Sequence, residues 1–273
     1  MFKKVLFNSS LIAVIALLAA VCSPSGNEAT SVDMDVVANC SGITDVTNDE
    51  GWKVKVADFD VALKNFEFTI EGEVHPDKLV QIISDFIVPK AMAHPGHLSG
   101  GEVTGELTGN WEVDFTHCSK DKPFGTATLL EGDYHGFNFY FTHGAKNLDS
   151  PIAGHTAYIT GSASKKDVTV PFEIFVDIEE NQQLVGGVFE NSQGGGSSNF
   201  VVKDGMDAVL GIRLLTLDPY EGDTIFDGID FSTLKLNDKG VAVVKAGEAA
   251  SNIISKSIYS HDQWAVTATV KNQ

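Results

Sequence analysis

Positive charge is scarce in this 273-residue chain: 19 Lys and Arg stand against 37 Asp and Glu, a formal net of −18 at pH 7. That balance argues against nucleic acid as a partner and against electrostatic docking on anionic lipid, since both need basic surface. Cysteine is also sparse, at three residues, so this is not a disulfide-dense miniature scaffold. Eight prolines and 26 glycines without a repeat exclude a fibrous chain. After residue 20 no stretch approaches the ~18–20 consecutive apolar residues of a membrane helix. The usual catalytic signatures are missing: there is no G-x-S-x-G, HExxH, CxxC, Walker A or G-x-G-x-x-G. S-x-x-K occurs at Ser162–Lys165 and Ser232–Lys235, but without S-D-N or K-T-G companions it does not make a serine acylase. Carboxylates are plentiful, yet spacing alone pairs none of them for glycoside hydrolysis. Binding is therefore expected rather than catalysis. What is present, 43% apolar and 21% charged residues, suits a globular core.

The N-terminus carries Lys3 and Lys4, then the apolar run LIAVIALLAA at 11–20, and then Val21-Cys22. The run is too short to span a bilayer comfortably and reads as an export signal. Its end resembles a bacterial lipoprotein signal, in which a Cys after small residues is acylated and becomes residue one. Ala19 and Val21 stand where that signal usually has Leu and a small residue. The resemblance implies a signal peptide over 1–21, lipid attachment at Cys22 and a membrane anchor. Residues 22–35 are small, polar and acidic, the composition of a flexible tether, and leave 36–273 as one domain. Loss of Lys3 and Lys4 with the signal leaves 17 basic against 37 acidic residues, a net of −20. In an exported chain, Cys40 and Cys118 are expected to pair, the alternative being two unpaired buried thiols.

Beyond the tether the hydrophobic pattern has period two. Phe66, Phe68 and Ile70 alternate with polar residues, as do Trp111, Val113 and Phe115. Similar runs fill 125–131, 134–143, 155–163, 168–178 and 183–189, separated by Gly, Asn, Asp and Pro. This predicts a mainly β fold, an antiparallel β-sandwich of jelly-roll or Greek-key type. Two short helical insertions are expected. One follows His75, with Pro76 in its first turn and Leu79, Ile82, Ile83, Phe86 and Ile87 on one face; the other lies within 247–260. The stretch NSQGGGSSN at 191–199 is the weakest place and the alternative domain boundary.

Eight histidines are the most informative feature. His94 and His97 flank the turn Pro95-Gly96, which lets both imidazoles swing to one side, and Met92 lies two residues upstream. Met and His together suit copper before zinc. Two imidazoles need completion from elsewhere. His135 and His143 share a strand face but stand ~26 Å apart at ~3.3 Å per residue, too far to share an ion. His143 and His155 flank a loop that can bring them to one end of the sheet, so they are the expected completions. His117 closes another strand beside Cys118. Solvated loop histidines without metal are the competing reading. The segment DPYEGDTIFDGID at 218–230 raises calcium, but it fails the EF-hand spacing: with Gly228 at loop position six, position twelve is Leu234.

The segments AHPGHLSGGEVTGELTG (93–109), GHTAYITGSA (154–163) and FDGIDFSTL (226–234), behind that leader, resemble a group of bacterial envelope lipoproteins of unknown function. The resemblance implies the periplasm or the periplasmic face of an outer membrane and brings no ligand set. The expected function is non-catalytic binding of a transition-metal ion, copper or zinc, through the His-rich turn. The alternative is a metal-free envelope module that recognises a protein or a glycan.

Overall fold

The structure is a computed structural model that describes residues 30–70, 102–118, 123–146, 150–190 and 198–271. Residues Ser31–Gln273 group as one compact unit. In chain order the strands are β1 (Ser31–Ala38), β2 (Val46–Thr47), β3 (Lys53–Thr69), β4 (Val103–Asp114), β5 (Pro123–Leu130), β6 (Gly132–Tyr134) and β7 (Gly136–Phe141). They continue as β8 (Ala157–Lys165), β9 (Val168–Val176), β10 (Gln183–Glu190), β11 (Phe200–Val202), β12 (Ala208–Leu214), β13 (Ala242–Val244) and β14 (Trp264–Val270). One α-helix, α1 (Ala249–Ile258), occurs among the described residues.

The fold is not the open sandwich expected from the sequence. Strands β3, β4, β5, β1, β12, β14, β10 and β7 pair in that order, and β7 returns to β3, closing an eight-stranded barrel. Two parallel pairings, β1 with β12 and β10 with β14, help close the ring. Alternation along a strand is the same in a sandwich and a barrel, so the pattern gave the strands but not the closure. The helix within 247–260 is α1, whose Ala250, Ile254 and Ile258 form the buried face. The other expected helix, after His75, lies outside the described residues.

Ser31–Asp35, read from the sequence as tether, begin a barrel strand instead. Val32, Met34 and Val36 point inward from β1, which sits between β5 and β12. Three apolar residues among acids kept the segment looking like solvated linker, although their alternation is that of a half-buried strand.

The barrel interior is filled by aromatic rings. Phe66 of β3 lies 4.9 Å from Phe124 of β5, although β4 runs between those strands. Phe139 of β7 lies 4.6 Å from Trp264 of β14, although β10 runs between them. Rings two strands apart converge in this way on the face that the closed ring encloses. Eight strands leave room that side chains fill, and each buried Phe adds about 1.5–3 kcal/mol relative to exposure.

Strand β3 belongs to two structures at once. Its second half, Leu63–Thr69, pairs with β4 and β7 in the barrel, while its first half, Lys53–Val61, pairs with β8 outside it. Strands β8, β9 and β13 extend the sheet from there. Asn65, at φ 47°, makes a bulge near the start of the barrel half, and its side-chain oxygen accepts a hydrogen bond from the Gly109 amide at 3.1 Å. One face of the extension packs a second aromatic group, in which Phe172 lies 5.3 Å from Phe231 and Trp52 lies 5.8 Å from Phe231. The other face carries Asp58, Asp60, Tyr158, Thr160 and Glu173, all half-buried.

Candidate metal centre

A second bulge shapes that outer face. Register shifts between Val56 and Asp58, so Ala57 is the extra residue and Asp58 stands opposite Thr160 of β8. Bulges of this kind re-aim a side chain. On the other edge, Asp60 is in register with Asp114, the last residue of β4. After Asp114 the chain is pinned by Phe115. Its amide donates to the Phe59 carbonyl at 2.8 Å, and its ring sits 5.7 Å from Trp264. Thr116, His117 and Cys118 then turn across the barrel rim, and Cys118 is joined to Cys40 by a disulfide.

This turn brings Asp58, Asp114 and His117 together, each offering one ligand atom, all within 4.8 Å of one another. His117 Nδ1 lies 2.9 Å from Asp114 Oδ2 and 3.7 Å from Asp58 Oδ1. The other carboxylate oxygens are held from behind. Thr160 Oγ1 donates to Asp58 Oδ2 at 2.6 Å. The Thr116 amide donates to Asp114 Oδ1 at 2.8 Å, the Thr116 hydroxyl donates to it as well, and the His117 amide reaches it at 3.3 Å. One oxygen of each carboxylate is thus fixed by the protein and the other turned to the imidazole, the way outer hydrogen bonds orient metal ligands.

Burial works to raise the Asp114 pKa, but the hydrogen bonds from Thr116 and His117 outweigh it and hold the carboxyl below its ordinary value. The triad is open to solvent: the side chains of Asp58, Asp114 and His117 are 47%, 26% and 67% exposed. Negative charge continues along the face. The Tyr158 phenol is pushed up by burial, and further by Glu173, Asp58 and Asp60.

His143 and His155 come to one end of the barrel, because the Gly144 amide donates to the His155 carbonyl at 2.9 Å. His143 Nε2 lies 3.0 Å from the Ile178 carbonyl oxygen, and His155 Nδ1 lies 2.8 Å from Asp177 Oδ1. They form no three-ligand group with Cys, Asp, Glu or other His among the described residues. His135 stands at the opposite end of β7, where its amide donates to the Thr69 carbonyl at 3.1 Å. His94, His97, Met92 and Cys22 lie outside the described residues.

In the acidic segment at 218–230, Asp218, Asp227 and Asp230 accept hydrogen bonds from their own turns and from the neighbouring turn at 49–52. Asp227 accepts hydrogen bonds from the Thr224 amide at 2.8 Å and the Asp49 amide at 2.9 Å. Asp230 accepts from Trp52 Nε1 at 3.1 Å. Asp218 is buried, which pushes its pKa up to about 6 despite the Tyr220 amide at 2.7 Å.

Asp58 and Asp114 were not singled out from the sequence, and His117 was noted only as a strand end. The signal that was there is Asp-x-x-His-Cys at 114–118, with the carboxylate three residues before the imidazole and the crosslink one after. Asp58 is 56 residues away from Asp114, and only the β3–β4 register brings it in. No protein-family model, curated protein or solved structure matches this chain.

Proposed function

We propose that this chain is an exported, lipid-anchored or periplasmic envelope protein that binds a divalent transition-metal ion on the outside of a filled barrel, without catalysing a reaction. The observation that carries this reading is the convergence of Asp58, Asp114 and His117 with their outward atoms within 4.8 Å. Ligands on one zinc ion at bonds of about 2.0–2.2 Å lie about 3–4 Å apart, so small side-chain movements close the triad on an ion. Two carboxylates and an imidazole favour zinc or copper(II) over copper(I), which prefers sulfur donors. The net charge of −18 raises the local concentration of any cation. The turn with His94, His97 and Met92 supplies a further, softer donor set, for which copper is the ion. The export signal and the Cys22 anchor support an envelope location.

The test is competition titration of zinc and copper(II) into metal-free, oxidised protein purified without a His tag. Asp58→Ala and His117→Ala should each weaken the tightest zinc site at least about tenfold. The reading fails if neither variant changes zinc affinity.

A further inference from the structure

The triad has one weak link. Asp58 sits within a strand paired on both edges, and Asp114 ends another, but His117 lies beyond the last rung of β4. Three things hold its turn. Asp114 Oδ1 accepts from the Thr116 amide and hydroxyl and, at 3.3 Å, from the His117 amide. Phe115 anchors the turn at its start. At its end the disulfide ties Cys118 to Cys40, in the 3-10 turn Cys40–Gly42 after β1, and the Cys118 amide lies 2.7 Å from Cys40 Sγ. The hydrogen bonds at His117 are solvent-exposed, so each adds little net order. The covalent tie is what removes backbone freedom next to His117.

We propose that the Cys40–Cys118 disulfide assembles the metal centre, so that the site forms in the oxidised protein and opens on reduction. The inference rests on the metal-binding reading and adds its regulation. An exported chain would stay unloaded in a reducing compartment and acquire its ion only after oxidation. Reduction by a trialkylphosphine balances simply. The phosphorus takes the oxygen of one water and becomes the oxide, the sulfur–sulfur bond accepts two electrons and breaks, and each sulfur takes one proton as a thiol.

The test is zinc and cobalt(II) titration of three full-chain samples: the oxidised protein, the phosphine-reduced protein freed of reductant under anaerobic conditions, and the disulfide-free variant Cys40→Ser/Cys118→Ser. Tryptophan fluorescence and circular dichroism report folding in each. The expected result is binding by the oxidised protein, weakened at least about tenfold in both other samples. Equal affinity in the folded double variant overturns the inference while leaving the metal reading intact. A thiolate-to-cobalt absorption band in the reduced protein, with affinity equal or higher, also overturns it, because the thiols then hold the ion themselves. Where the double variant loses its fold, the reduced protein decides. An oxidised protein that binds no metal overturns the metal reading first and this inference with it.

Discussion

The two halves of β3 make the sharpest comparison in the molecule. Leu63–Thr69 is flanked by β4 and β7 and sends Phe66 and Phe68 into the barrel, where both are fully buried. Lys53–Val61 leaves the barrel, buries Val54, Phe59 and Val61 on one side, and turns Asp58 and Asp60 to the half-wet outer face. The first arrangement leaves no place for chemistry and every place for packing. The second keeps one face for packing and frees the other for charge. Each half carries one bulge: Ala57 re-aims Asp58 on the outer half, and Asn65 interrupts the ladder within the barrel half.

The comparison makes graded demands, and the largest falls on the barrel half. Phe66→Ala empties a site shared with Trp111, Phe124 and Phe139. It should cost about 3–5 kcal/mol in urea unfolding, with little effect on metal affinity in protein that remains folded. A cost below about 1 kcal/mol would show that the interior is not the packed layer described. Next in size is the disulfide. Removing it from oxidised protein should cost about 2–4 kcal/mol, given the long loop it closes, together with the loss of metal affinity set out above.

Asp218 comes third. Its folded pKa, about 6, lies above the ordinary 3.8, so the folded state holds the proton more tightly than the unfolded one. Its charge therefore destabilises the fold in full above about pH 6, and the penalty fades as pH falls toward 3.8. Asp218→Asn, which keeps an acceptor for the Tyr220 amide, should raise stability at pH 7 by about 1–3 kcal/mol and flatten its pH dependence between those values. A variant whose stability tracks wild type across that window would refute the assignment. Asp114 has the opposite sign. Its lowered pKa contributes stability present above the ordinary value and lost as pH falls through the folded value.

The smallest change in stability is expected at the triad. Asp58→Ala and His117→Ala should alter unfolding by no more than about 0.5 kcal/mol, since both side chains are substantially exposed. Each should still remove most of the zinc affinity. A large stability loss at Asp58 would make it a structural residue and blur the contrast between the two halves of β3.

Much of the fold was legible, because period-two alternation belongs to any half-buried strand. The runs at 155–163, 168–178 and 183–189 became β8, β9 and β10 with only end shifts. Closure was not legible. It depends on parallel pairing of β1 with β12 and of β10 with β14, distant segments whose partners no local pattern names. The first strand was missed because Asp33 and Asp35 sit on its wet face and gave 31–35 the look of a tether. The disulfide could be read from cysteine arithmetic together with an expected export signal, and the structure makes that pair. The triad could not. Its parts come from a bulge, a strand end and a turn, and sequence spacing carries no record of the β3–β4 register that unites them.

The most direct test of the central claim is X-ray absorption at the zinc edge of oxidised protein loaded with one equivalent of zinc, beside His117→Ala. We expect only nitrogen and oxygen neighbours at about 2.0–2.2 Å, with scattering from a single imidazole that disappears in the variant. Scattering from two or more imidazoles, unchanged in His117→Ala, would contradict the claim and place the ion on other histidines of the chain.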